Sequence, residues 1–185
     1  HVVARYKGDI VEIPAEKVDY IDISPRQVIG AAAAVIPFLQ NDDASRALMG
    51  THMQCQAVPL VQPEAPFVGT GMERKVSMAL GRTIYAEEDG VIEYVDGQKV
   101  VLVGKNKKKY EYNLDRFIKT NKDVVFDQRP RVELNQKVKK GDLLVDGPAT
   151  QDGSLALGQN LVIAYTSLNG LGYEDGFVIS ERLRK

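Results

Sequence analysis

Tryptophan is absent from these 185 residues, histidine occurs twice and cysteine once. A single thiol, Cys55, cannot form an internal disulfide, and with only His1 and His52 to join it cannot complete a four-ligand zinc site. An excess of one charge is also lacking. Twenty-four Lys and Arg stand against 25 Asp and Glu, a formal charge of -1, so bulk electrostatics cannot hold a nucleic acid and any such contact must use local patches. No apolar run approaches the roughly 20 residues that span a bilayer, and no charged leader followed by an apolar stretch opens the chain. We therefore expect a cytoplasmic protein without membrane contact. The groups of a self-contained enzyme are missing as well: there is no Gly-x-x-x-x-Gly-Lys-Ser/Thr loop, no Gly-x-Ser-x-Gly elbow and no Cys/His arrangement that composition could make a nucleophile and base. His1 at the start and the charged run up to Lys185 lead us to expect an excerpt of a longer polypeptide.

The residues present are enough for one ordinary core, with 44% hydrophobic and 26% charged side chains. The opening "HVVARYKGDIVEIPAEKVDYIDIS" carries short β-branched runs broken at Gly8-Asp9 and Pro14, which predicts two or three brief strands with little core of their own. At "SPRQVIGAAAAVIPFLQ" the pattern becomes helical. Ser24 suits an N-cap, Pro25 the first helical position and Gln27 a capping box, and Pro37 stops the helix near Val35 and Ile36. Asn41, Asp42 or Asp43 can cap a second short helix, which ends before Pro59. From Gln62 onward the chain reads as β, with hairpin turns at Asp89-Gly90, Asp96-Gly97, Lys140-Gly141-Asp142 and Gly147-Pro148, and with further strands in "NLVIAYTSL" and Phe177–Ile179. Strands this short and closely spaced point to a barrel or sandwich rather than a parallel α/β sheet. The expected class is mainly β with two short helices, α+β.

Three stretches can carry chemistry. In "LNGLGYEDGFVISERL" the acids Glu174 and Asp175 are adjacent, behind Gly170 and Gly172. Neighbours on a regular strand point to opposite faces, so both can approach one ion only where the backbone is irregular, and the glycines favour that. Two carboxylates suit magnesium, but a two-metal phosphoryl-transfer site needs more acids, so the pair is half a site or a solvated acidic turn. In "NDDASRALMGTHMQCQAVP", Arg46, Gln54 and Gln56 offer planar groups for phosphate or sugar contacts, His52 is either a surface donor or a satisfied partner, and Leu48, Met49 and Met53 read as core. Arg46 can instead pair with Asp42 or Asp43. Third, the lysines of "KNKKKY", Lys105 to Lys109, can meet phosphates or simply be solvated. The turn in "VKKGDLLVDG" is similar to hairpins of barrel-sandwich carrier domains, although no Met-Lys-Met site is present. A non-catalytic β-barrel interaction module or carrier-type module is thus the alternative to a part of an enzyme.

The segments "IDISPRQVIGAAAAVIPFLQNDDASRALMGTHMQCQAVPLV", "PFVGTGME" and "VKKGDLLVDGPATQDGSLALGQNLVIAYTSLNGLGYEDGFVISERL" resemble, in order, the second-largest or beta subunit of bacterial DNA-directed RNA polymerase. The resemblance implies an internal fragment with the end of an external β-rich domain over 1–23, a helical fork-region segment over 24–61, and the β-rich start of a hybrid-binding domain over 62–185. That last part would belong to a double-psi β-barrel with inserted barrel- or sandwich-like hairpins. It further implies nucleotidyl transfer in a multisubunit complex, with the fragment inactive alone. The partners implied are the beta-prime, alpha and omega subunits, a sigma factor, the DNA template, nascent RNA and NTPs.

The principal magnesium ion would be held by three beta-prime aspartates, with Glu174 and Asp175 near the second metal and the NTP phosphates, reaching the metal through water. Arg46 matches an arginine near the NTP phosphates. Gln56 matches a glutamine near the RNA, and His52 stands where the family usually has an asparagine near nucleic acid. Cys55 stands where the family has an arginine.

Overall fold

A computed structural model describes residues 1–121 and 123–184; Lys122 and Lys185, the residue on which the charged run ends, lie outside them. The chain opens on a hairpin of β1 (Val2–Tyr6) and β2 (Asp9–Ile13), paired antiparallel with Val2 opposite Ile13 and Tyr6 opposite Asp9. Lys7 and Gly8 turn the corner with φ of +50° and +102°. Two successive positive angles give the turn whose twist matches that of the flanking strands. The hairpin buries no side chain fully, in keeping with the expectation of little local core.

The long helix expected after Ser24 is two pieces. Ser24 does cap, its Oγ accepting the Arg26 N–H at 3.2 Å, but the element it caps is a single 3-10 turn over Pro25–Val28. Gly30 is extended, with φ -68° and ψ 164°, and starts the one-turn α1 (Ala31–Ala34). Val28 and Ile29 are β-branched and stiff, and Gly30 loses the most backbone entropy in a helix, so the four alanines cannot carry the helix back across them. The stop before Pro37 is as the sequence indicates. Phe38 then turns left-handed, φ +56°, and α2 (Ala44–Cys55) begins at Asp43, whose carboxylate accepts the Ser45 N–H at 3.0 Å. The two helices pack together, and just past α1 Ile36 faces α2, where a Cβ at Gly50 would stand 3.6 Å from Ile36 Cδ1.

A third helix, α3 (Glu73–Ala79), corrects the reading of everything past Gln62 as β. Thr70 and Glu73 have capping-box spacing, but the N-cap of the helix is Met72, which makes no side-chain cap bond, and Glu73 is the first helical residue; its carboxylate reaches back to the Thr70 N–H.

The core lies beyond it. Strands β3 (Ile84–Tyr85), β4 (Gly90–Val95), β5 (Lys99–Gly104), β6 (Lys109–Asn113), β7 (Ile118–Lys119), β8 (Val125–Phe126), β9 (Arg129–Pro130), β10 (Lys137–Val138), β11 (Leu143–Asp146), β12 (Thr150–Gln151) and β13 (Ser154–Leu155) come in order, and a last turn of helix, α4 (Glu181–Arg184), ends the described chain. They form a four-stranded sheet β10-β4-β5-β6, a three-stranded sheet β3-β11-β9 and the hairpins β7-β8 and β12-β13. Ile92, Val100 and Leu102 of the larger sheet share one buried cluster with Leu144 and Val145 of the smaller, closed by Ala86, Val132 and Val138. The strands are short because turns interrupt them where the sequence places them. Asp96 Oδ1 accepts N–H bonds from Gln98 and Lys99, each 2.7 Å, and Gly141 takes φ +89° between β10 and β11. At Gly90 a Cβ would stand 2.2 Å from the Val103 carbonyl oxygen, so only glycine can occupy the start of β4.

The molecule is thus mostly β with short helices, as expected, but two expected strands are missing. Between Asn160 and Ser180 the described chain forms no strand, and Tyr165 and Phe177 are 97% and 89% exposed. Residue types that favour strands do so by packing on neighbours, and these have none among the described residues. No helix among the described residues is long and apolar enough to cross a membrane.

Candidate functional site

Asp43, by spending its carboxylate on the cap, leaves Arg46 without it. Arg46 is exposed and its Nη1 donates to Met49 Sδ at 3.4 Å; neither Asp42 nor Asp43 pairs with it. At about 100° per residue, Arg46, Met49, His52, Met53 and Gln56 share one side of α2, while Ala47, Gly50, Thr51 and Gln54 lie on the other. Exposure follows that division. The first five are exposed and the last four are half-buried toward α1 and the cleft beneath. Gln54 is therefore separated from Arg46 and Gln56, with which the sequence groups it. Leu48 and Met53, read as core, are 69% and 64% exposed. A helix with one small-residue side buried and methionines, an arginine, a histidine and an amide on the other presents a mixed surface able to grip a flat apolar and anionic ligand.

The acid pair sits on an irregular backbone, in keeping with the glycines before it. Gly170 has φ +73° and Glu174 itself is left-handed at φ +53°. Successive tight turns hold the loop: Leu171 N–H to Leu168 O at 2.9 Å, Tyr173 N–H to Gly170 O at 3.2 Å and Gly176 N–H to Tyr173 O at 3.0 Å. Glu174 and Asp175 are exposed and form no ion pair among the described residues. Among those residues no three of His, Cys, Asp and Glu gather closely enough to hold a metal ion. No hydrogen bond or ion pair among the described residues joins this turn to α2.

The loop between Gln62 and Glu73, no residue of which the sequence singled out for a role, bonds to Ala34 of α1 and to Gly158, Gln159 and Asn160. Glu73 is 8% exposed, and its carboxylate accepts the N–H groups of Thr70 at 2.7 Å and Gly71 at 2.9 Å. Burial pushes this carboxyl up, but the N–H groups of Thr70, Glu73 and Gly71 and the Thr70 hydroxyl together outweigh it, and the net position is below the ordinary glutamate value. A second clamp is Asn160. Its N–H and Nδ2 donate to Glu64 Oε2 at 2.9 and 3.3 Å, Nδ2 also donates to Ala65 O at 2.9 Å, and its Oδ1 accepts the Phe67 N–H at 3.3 Å. The Thr70-x-x-Glu73 spacing could have revealed the first clamp; nothing local in "GQNLV" signals the second.

The lysine run caps the β5–β6 hairpin and is largely occupied. Lys105 pairs with Asp89 at 2.7 Å, Lys109 with Glu93 at 2.6 Å, and Lys108 lies over the Tyr110 ring at 4.6 Å. Lys107 turns the tip with φ +57°.

Known proteins resemble this chain along its whole length. Residues 85–185, from the end of β3 onward, match the family described as RNA polymerase Rpb2, domain 6. Over 184 of its 185 residues it is 48% identical to the DNA-directed RNA polymerase subunit beta of Fusobacterium nucleatum, and 49% and 46% identical to the subunits of that name from Thermus thermophilus and Lactococcus lactis. The chain spans 16%, 16% and 15% of the length of those three relatives.

Proposed function

The chain belongs to the DNA-directed RNA polymerase beta-subunit family, and from that premise we propose that it forms part of the wall of a nucleotidyl-transfer centre, placing an NTP and the RNA–DNA hybrid for template-directed addition. The carrying observation is the exposed pair Glu174 and Asp175 on a left-handed turn, two hard oxygen donors that form no ion pair among the described residues. Such a pair fits magnesium reached through water, and magnesium bound there would neutralise charge on the triphosphate. Glu174 and Asp175 orient water and phosphate oxygens and do not act as a general base. Arg46, which pairs with no carboxylate among the described residues, meets the NTP phosphates. Gln56 and His52, on the same side of α2, meet the nucleic acid. Three aspartates of the beta-prime subunit hold the principal magnesium.

On this reading the working particle contains beta-prime, alpha and omega subunits, recruits a sigma factor, and acts on template DNA and nascent RNA in the cytoplasm. The β core continues into a double-psi barrel, within which the strandless run after Asn160 finds its partners. The open backbone of that run supports this, since N–H and C=O groups rarely stay without partners in a finished assembly.

The test is single-nucleotide addition by the assembled polymerase. Glu174→Ala with Asp175→Ala should slow addition by about 10- to 100-fold and raise the magnesium or NTP concentration needed, the scale on which groups acting through a metal's outer shell operate. Unchanged single-turnover kinetics across magnesium concentrations would remove the pair from the centre.

A further inference from the structure

Two basic stretches that stand apart in the sequence, "KNKKKY" and "VKKGDLLVDG", meet in the fold at one groove. In the larger sheet Lys137 of β10 stands opposite Val91 of β4, Val91 opposite Val103 of β5, and Val103 opposite Lys109 of β6. Directly opposed residues on antiparallel strands put their side chains on the same face, so this face carries two valines in a row with a lysine at each end. It is the face turned away from the core, because the neighbouring residues Val138, Ile92 and Leu102 are the buried ones. An antiparallel sheet with one solvated face alternates apolar with polar residues. Strand β5 departs from that pattern: Val101 and Val103 lie on its outer side, half-buried, and Val91 beside them is 37% exposed. The row opens into a groove of about 440 Å³, lined by Val91, Val103, Lys105, Lys137 and Lys139 among others.

The charge around this groove is arranged for an anion. Asp89 lies in its wall, but both carboxylate oxygens are taken: Oδ2 accepts Lys105 Nζ at 2.7 Å and Oδ1 accepts the Lys140 N–H at 2.9 Å. One acid thereby staples the start of the β5–β6 turn to the turn after β10. Lys105 beside it and the Lys140 N–H hold its carboxyl below the ordinary aspartate value. The acids nearby are engaged as well, Asp142 by the Lys139 N–H at 2.8 Å and Glu88 by the Tyr110 hydroxyl at 2.9 Å. Lys137 and Lys139 are exposed and pair with no carboxylate among the described residues. The backbone beside them is fixed, the Gly141 N–H bonding Ala86 O at 2.8 Å and the Ala86 N–H bonding Asp142 O at 2.9 Å. Two unpaired ammonium groups thus flank an apolar floor. A nucleic acid fits that floor poorly: among the described residues no aromatic ring lines the groove to stack a base, and no arginine to hold a phosphate by two bonds.

We infer that this groove is a docking site for an acidic segment of a protein partner, whose carboxylates meet Lys137 and Lys139 while one apolar side chain between them seats on Val91 and Val103. The site uses none of the residues assigned to nucleotide addition and stands or falls apart from them. A groove of this size takes a short segment, so the contact is weak by itself and adds to a larger one through its effective concentration.

The experiment uses the assembled polymerase carrying a template–RNA scaffold, so that its nucleic-acid surfaces are occupied. The probe is a fluorescent peptide, Asp-Glu-Asp-Leu-Asp-Glu-Asp, whose binding is read by anisotropy. Lys137→Glu together with Lys139→Glu should weaken binding about tenfold, the scale of two exposed charge contacts turned to repulsion, and leave single-nucleotide addition within about twofold of the parent. Val91→Gln, with both lysines intact, should weaken binding about three- to fivefold through lost apolar burial, and so should glycine in place of the peptide's leucine. A photoreactive benzoylphenylalanine at the leucine position should cross-link within 89–105 or 137–139 of the parent enzyme, which locates the site without any substitution in it. Failure of the parent to bind the peptide saturably, cross-links elsewhere, or a charge-reversed enzyme that binds as the parent does overturns the proposal. If the glycine peptide binds as well as the leucine one, the face is a bare charge patch and the anchored docking falls. A charge reversal that weakens a single-stranded oligonucleotide of equal charge and spares the peptide assigns the face to nucleic acid and overturns it too.

Discussion

Glu73 is a charged group kept in place by backbone donors, and its response to pH follows from that. Its carboxyl lies below the ordinary glutamate value of about 4.3. A carboxylate lowered by folding stabilises the folded chain fully above its unfolded value, and that contribution fades as pH falls through the lower folded one. Glu73→Gln should therefore cost about 1–2 kcal/mol at pH 7, the scale of weakening bonds to buried donors, and the gap from the parent should close as the pH is taken down toward 3. Urea titrations of both chains at several pH values check it; a gap that persists unchanged at pH 3 would show that the charge is not what the loop recognises. This residue was legible, because Thr70 and Glu73 stand at capping-box spacing, yet the helix went unread among nearby prolines and glycines. Asn160 was not legible at all, since the residues it bonds lie 93 to 96 positions away in sequence.

Among the elements, the β5–β6 hairpin has the densest positive charge, and its pairing decides what it does. With Lys105 and Lys109 matched to Asp89 and Glu93, Lys107 and Lys108 are what the tip has left for phosphates, and Lys108 lies over a ring. Replacing Lys107 and Lys108 by alanine should leave the salt dependence of nucleic-acid binding by the assembled enzyme nearly unchanged, the log–log slope shifting by less than the roughly 0.9 expected for one lost phosphate contact. Filter binding across a salt series measures it; a shift of a full contact or more would return the hairpin to the nucleic acid. The hairpin's first strand, β5, was readable from the Asp96-Gly97 turn before it and the alternation of Val100 and Leu102 with half-buried neighbours. The helices were half-readable. Ser24 and Asp43 cap as their types dictate, whereas the break at Gly30 depends on a competition between good and poor helix formers that single residues do not resolve.

Across the whole molecule, order is unevenly spread. The buried cluster joins strands from Ile84 to Asp146, and the chain from Leu161 to Ile179 contributes nothing to it. In hydrogen exchange on the isolated chain, amides of β4 and β5 should be protected at least about a thousandfold more than those of Ile163 and Tyr165. Equal protection in both regions would mean that the run after Asn160 docks on the core after all. Strand-forming residues made that run look regular in sequence, but a strand also needs a partner's backbone, and that is a long-range property which local propensity does not carry.

The turn bearing Glu174 and Asp175 owes the core nothing and the core owes nothing to it. Lesions there spare folding, so on the proposed reading a crippled copy would still compete with the sound one for a place in the particle, and its harm would be dominant instead of silent.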